Sequence, residues 1–156
     1  MVGKEATTIW ELWNGDTAMP AMNSGNHLML VGDLVSWFYE NLAGIRPDPG
    51  QPAFKHIIMR PTPVAGLKYV RASHQSPYGK IMSDWQLDGT QFTWTLVVPA
   101  NTRATVYVPI RQPETIRESG RPADQAPNVK FLRTEANAAV YKVGSGSYHF
   151  SSIMTH

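Results

Sequence analysis

Glu11 stands between Trp10 and Trp13 in the stretch TIWELWNG, residues 7 to 14. A carboxyl held against two indoles loses water, and losing water raises its pKa. A group tuned in that way suits general acid–base work on a glycosidic bond. The same residues also suit a packed helix end, and residue types alone leave both readings open. Hydrolysis of a glycoside needs two carboxyl groups, one on each side of the scissile bond. Asp16 and Asp33 are the acids that follow Glu11 most closely, and Asp33 falls within a helical pattern. The residues supply half of such a site.

Other chemistries find less support. The histidines, His27, His56, His74, His149 and His156, are widely spaced without an HxH or HExxH pattern, so no metal site is expected. No G-x-S-x-G elbow is present, and NSGNH, residues 23 to 27, lacks the lysine of a phosphate loop. No cofactor is expected. Trp85, Phe92, Trp94 and Tyr107 fall in alternating runs. They read first as core, with platforms for single-stranded nucleic acid or for sugar as the lesser readings.

The elements that would position these residues fall into two regions. Residues 23 to 43 predict one helix, with Asn23 or Ser24 as its cap. Leu30, Val31, Leu34, Val35, Phe38 and Leu42 form its apolar stripe. Gly44 is placed to end it, and prolines at 47, 49 and 52 prevent its resumption. From Phe54 the period shifts towards two. The runs HIIMRP, LKYVRASHQ, KIMSDWQL, QFTWTLVVP, RATVYVPI, VKFLRTEANAAVYKV and SYHFSS read as seven strands. Turn signals separate them, and Asp88-Gly89 is the strongest. The pattern predicts a mainly β chain, an antiparallel β-sandwich preceded by a loop and one long helix. Residues 112 to 128 read as a polar surface loop.

Composition sets the frame. At 156 residues the chain is one domain with an appendage. A net charge of +2, spread along the sequence, does not make the basic face that nucleic acid requires. No cysteine is present, which removes disulfides and thiolate sites. No apolar run approaches the roughly 20 residues of a membrane span. A soluble chain is expected, cytoplasmic or periplasmic. One amphipathic helix ahead of a complete sandwich must bury its stripe against the sandwich, a second copy or further sequence. Trp10, Trp13, Met19 and Met22 are costly side chains for a free tail and point to the end of a larger domain that begins upstream.

The ordered set TIWELWNG, AMNSGNH, LAGI, KHIIMRP, LKYVRASHQSPYGKIMSDW and LVVPANTRATVYVP resembles the C-terminal end of bacterial α-L-rhamnosidases of glycoside hydrolase family 78. The resemblance runs from about Thr7 to Ser152. It implies that residues 1–44 are the last loop and helix of an (α/α)6 catalytic barrel and that residues 45–156 are a jelly-roll-like sandwich. It implies an inverting hydrolysis of terminal α-L-rhamnosides in which Glu11 is the general base. His27 would contact sugar hydroxyls, Trp13 would wall the sugar pocket, and Trp10 would pack behind it. The general acid would lie upstream, so the chain alone is expected to be inactive. Leu12 stands where the family often has Arg, and the link from Trp13 to Met22 is short; both bear on sugar preference. The partners implied are rhamnose-containing glycosides, met through the full-length enzyme, and the missing barrel. Self-association through the helix 26–43 is a further expectation; nucleic acid and membrane are not expected partners. The other reading is a non-catalytic sandwich module that braces the barrel or binds carbohydrate.

Overall fold

Gly44 takes φ +72°, the left-handed conformation that stops helices, and a side chain there would meet the backbone of Arg60 and Pro61 at 2.1–2.2 Å. The helical pattern ends where the sequence placed its end. In the computed structural model, which describes residue 17 and residues 28–111 and 115–154, the helix is α-helical over Leu28–Trp37 (α1) and π-helical over Phe38–Leu42. Ala43 N–H donates to Phe38 C=O at 2.9 Å, the five-residue step that marks the π-turn. The chain divides into two compact units, residues 1–37 and 38–156. Within α1, Val31, Leu34 and Val35 of the apolar stripe are exposed.

The second unit carries eleven strands among the described residues. They are β1 (Ile45–Pro47), β2 (His56–Met59), β3 (Tyr69–Ser76), β4 (Gly79–Asp88), β5 (Gln91–Val98) and β6 (Arg103–Pro109), then β7 (Arg117–Glu118), β8 (Arg121–Pro122), β9 (Val129–Glu135), β10 (Ala138–Val143) and β11 (Gly146–Ile153). One sheet has the order β1-β2-β6-β10-β9 and the other β3-β4-β5-β11-β7-β8. Every pairing is antiparallel except β2 with β6, which run parallel with Ile57 beside Ala104. The expected sandwich is therefore present, with one parallel pair in it.

Alternation builds the core. Ile81, Ser83 and Trp85 of β4, Phe92, Trp94 and Leu96 of β5, and Val106 and Val108 of β6 are wholly buried. Trp85 lies directly opposite Trp94, and Phe92 sits 6.0 Å from one indole and 6.3 Å from the other. Truncating any of these rings to alanine would cost about 3–5 kcal/mol. The Asp88-Gly89 signal is realised: Asp88 pairs with Gln91 across a two-residue turn, with Gly89 at φ +57°.

Two expectations need correction. VKFLRTEANAAVYKV is not one strand but the hairpin β9–β10, turning at Ala136-Asn137. Residues 115–128, expected to be surface loop, contain β7, β8 and a 3-10 turn at Ala123–Gln125. Ile116, Glu118, Ala123 and Ala126 are buried there, so the segment closes an edge of the core.

Candidate functional site

Glu11, Trp10, Trp13 and His27 lie outside the described residues. The sites on view belong to the unit 38–156, and they start where the helix stops. Helix ends leave their last carbonyls without partners. Here five consecutive carbonyls each find one. Glu40 C=O accepts from Arg46 Nε at 2.7 Å, and Asn41 C=O from Thr62 N–H at 2.9 Å. Leu42 C=O accepts from Trp85 Nε1 at 2.7 Å, Ala43 C=O from Ser83 Oγ at 2.6 Å, and Gly44 C=O from Arg60 N–H at 2.8 Å. Arg46 Nη2 also donates to Asn41 Oδ1 at 2.7 Å. Ser83 in turn accepts from Trp94 Nε1 at 2.9 Å, so the core's two indole N–H groups are both satisfied by this network. We call this arrangement the carbonyl clamp.

Trp85 and Trp94 are therefore core residues with a polar duty at one edge, and with Phe92 they present no face to a sugar or a base. Sequence reasoning placed Trp85 in the core but missed the clamp. The available signal was Ser83, a hydroxyl on the inward side of an apolar strand, where it must find a partner.

A second polar group sits on the outer face of the five-stranded sheet. His56 Nδ1 is 2.6 Å from Asp48 Oδ2, and its Nε2 is 2.9 Å from Thr105 Oγ1. In the neutral ring the carboxylate fixes the proton on Nδ1, and Nε2 accepts from the threonine hydroxyl. Asp48 Oδ1 also accepts from Gly50 N–H at 2.9 Å. The hydrogen bond from His56, and then that from Gly50, hold the Asp48 carboxyl below its ordinary value of 3.8. The order acid–imidazole–hydroxyl matches a hydrolytic triad. Thr105, however, lies in the middle of β6, whose backbone is paired to β2 on one side and β10 on the other. No free backbone N–H remains beside it to stabilise an oxyanion. The group ties the β1–β2 connection to β6.

Tyr107, the remaining aromatic candidate, carries two guanidinium groups. Arg60 lies 4.8 Å and Arg133 5.9 Å from its ring centroid. Arg133 Nη2 donates to Tyr107 Oη at 3.3 Å and to Glu135 Oε1 at 2.7 Å, while Arg60 Nη2 stands 3.6 Å from Glu135 Oε2. The bond to Glu135, and then that to Tyr107, push the Arg133 pKa up. Val140, opposite both Tyr107 and Arg133 on this outer face, is fully buried. The arginine stems and the phenol ring cover it. Among the described residues no group of three or more His, Asp and Glu is placed to hold a metal ion, and no helix is long and apolar enough to cross a membrane.

Residues 44–122 match the bacterial alpha-L-rhamnosidase C-terminal domain, and residues 1–42 match the bacterial alpha-L-rhamnosidase six-hairpin glycosidase domain. An alpha-L-rhamnosidase of Streptomyces avermitilis is 34% identical over 155 residues, which cover 96% of this chain and 14% of that protein. One of Formosa agariphila is 30% identical over 156 residues, covering 97% and 16% respectively. The solved structure of the Streptomyces avermitilis enzyme complexed with L-rhamnose superposes with a TM-score of 0.80 over 96% of this chain and 14% of that one. That of the Dictyoglumus thermophilum enzyme, 32% identical, gives 0.79 over 99% and 17%. The chain thus spans about one-sixth or less of the length of these relatives. It belongs to the bacterial alpha-L-rhamnosidase C-terminal domain family.

Proposed function

We propose that this chain is the C-terminal piece of an inverting α-L-rhamnosidase, comprising the last loop and helix of the catalytic barrel (residues 1–44) and the sandwich that follows (residues 45–156). Glu11 is the general base that activates water on one face of the rhamnose ring. Trp13 walls the sugar pocket with Trp10 behind it, and His27 binds sugar hydroxyls. The general acid comes from a part of the enzyme outside these 156 residues, so the chain alone does not turn over.

The observation that carries this reading is the ordered pair of family matches, glycosidase domain over 1–42 and C-terminal domain over 44–122. The exposed stripe of α1 supports it, because Val31, Leu34 and Val35 are what a helix offers to barrel neighbours. In their absence the same stripe, within helix 26–43, drives self-association of the isolated chain. The carbonyl clamp favours the bracing role for the sandwich: it holds the last turn of a helix by five main-chain oxygens.

The test is hydrolysis of an aryl α-L-rhamnoside, first by the chain alone and then by the chain grafted in place of the matching segment of the Streptomyces avermitilis enzyme. The expected result is no turnover alone and turnover in the graft. Hydrolysis by the isolated chain that Glu11→Gln abolishes would overturn the division of labour.

A further inference from the structure

The outer-face cluster of Arg60, Tyr107 and Glu135 forms one side of a cleft of about 520 Å³. The strap after β2, the end of β6 and the β9–β10 turn meet there, with Met154 beyond β11 closing one wall. A volume of that size is within the range of small-ligand sites. Pro61, Pro109 and Ile110 give it a buried apolar floor. Its polar groups differ from those of the other sites in one respect. Among the described residues, the side chains of Thr62, Arg111 and Asn137 line the cleft and make no hydrogen bond or ion pair within the protein. The clamp and the triad-like group are satisfied internally, whereas this set is not.

The chemistry of the set is specific. An amide, a hydroxyl and an ion-paired carboxylate converge beside an apolar floor. These are the donors and acceptors that read neighbouring hydroxyls of a sugar ring, while the floor takes its C–H face. Two arginines, Arg60 and Arg111, and one carboxylate, Glu135, line the cleft, so its lining is net positive. Arg133 and Arg60 are both drawn to Glu135, which leaves Arg111 to bind an anionic group. We propose that this cleft is a binding subsite for a carboxylate-bearing sugar unit of a glycan chain, with Arg111 on the carboxylate, Asn137 and Thr62 on ring hydroxyls, and Glu135 accepting from a further hydroxyl.

The proposal rests on the reading of the chain as part of a glycan-cleaving enzyme, but its test reads binding and not hydrolysis, so the two can fail separately. Methyl β-D-glucuronide and methyl β-D-glucoside differ only at the carboxylate. Each is titrated into the ¹⁵N-labelled 156-residue chain, with sodium acetate at matched ionic strength as the control. At about 50 mM ligand a site of millimolar affinity is saturated. The expected result is movement of the Thr62, Arg111 and Asn137 backbone resonances by the glucuronide, at least about tenfold tighter than by the glucoside. Arg111→Ala, on an exposed side chain, should abolish that preference, and Asn137→Ala should weaken both ligands, with the remaining resonances unmoved in either variant. The proposal is overturned if the glucuronide leaves the cleft resonances unmoved, if glucoside and glucuronide bind equally, if acetate reproduces the glucuronide shifts, or if Arg111→Ala keeps the preference.

Discussion

Helix α1 and the strands of the sandwich draw on equally apolar residues and leave them in opposite surroundings. Val31, Leu34 and Val35 are 39%, 46% and 45% exposed, while Trp85, Phe92 and Trp94 are not exposed at all. The sandwich closes its own core, because alternate residues of two sheets face one another. The helix has one apolar stripe, and Val31, Leu34 and Val35 on it stay exposed. The difference teaches that the sandwich satisfies its own apolar residues while α1 does not, and the clamp is where the sandwich holds the turn that follows α1 in the chain. There the sandwich donates from the buried Trp85 indole and the buried Ser83 hydroxyl to carbonyls of the helix end, with Trp94 donating in turn to Ser83.

Breaking the clamp should have the largest effect. Gly44→Ala forces a side chain into the backbone of Arg60 and Pro61 at a positive φ. It should cost about 4 kcal/mol or more in urea unfolding of the chain, the size reserved for steric conflict with a special backbone position. Trp85→Phe keeps most of the ring packing and removes one donor. It leaves Leu42 C=O without its 2.7 Å partner and should cost about 1–3 kcal/mol. A loss below measurement error would mean that the clamp adds no stability.

The helix side of the comparison predicts the reverse. Leu34→Glu places a charge on a face that is already open, so the sandwich transition should move by no more than about 0.5 kcal/mol. The same substitution should reduce self-association of the chain in sedimentation equilibrium. A strictly monomeric parent chain would count against the role given to the stripe.

The smallest effect is a pH dependence confined to the sandwich. Tyr141 is 4% exposed, and burial, with a lesser contribution from Asp124, raises its pKa from the ordinary 10.0 to about 12. The folded state therefore favours the neutral phenol, and the stability this contributes is present below pH 10 and is lost between pH 10 and about 12. Tyr141→Phe should flatten that part of the stability profile. Asp48 runs the other way: its lowered pKa gives a contribution present at neutral pH and lost only as the pH falls below the ordinary 3.8.

Much of the sandwich was legible because alternation is local. Strands β4 and β5 could be read from KIMSDWQLDGTQFTWTLVV alone, turn included. What escaped was non-local or unmarked. The β9–β10 turn at Ala136-Asn137 carries neither Gly nor Pro, so two strands read as one. β7 and β8 are two residues each and exist only because β11 offers an edge. The parallel pairing of β2 with β6 spans three intervening strands, which periodicity cannot encode. The clamp depends on Ser83 and Trp85 meeting carbonyls some forty residues earlier, at Ala43 and Leu42. Glu11, Trp10, Trp13 and His27 were read from motif and resemblance, and they lie outside the described residues.

The most direct test of the account is Glu11→Gln in the grafted rhamnosidase, measured as kcat and KM on an aryl α-L-rhamnoside. The account predicts a fall in kcat of about 10²–10⁴-fold, the usual worth of a general base, with KM little changed. An unchanged kcat would remove Glu11 from the chemistry and leave the chain as a brace alone.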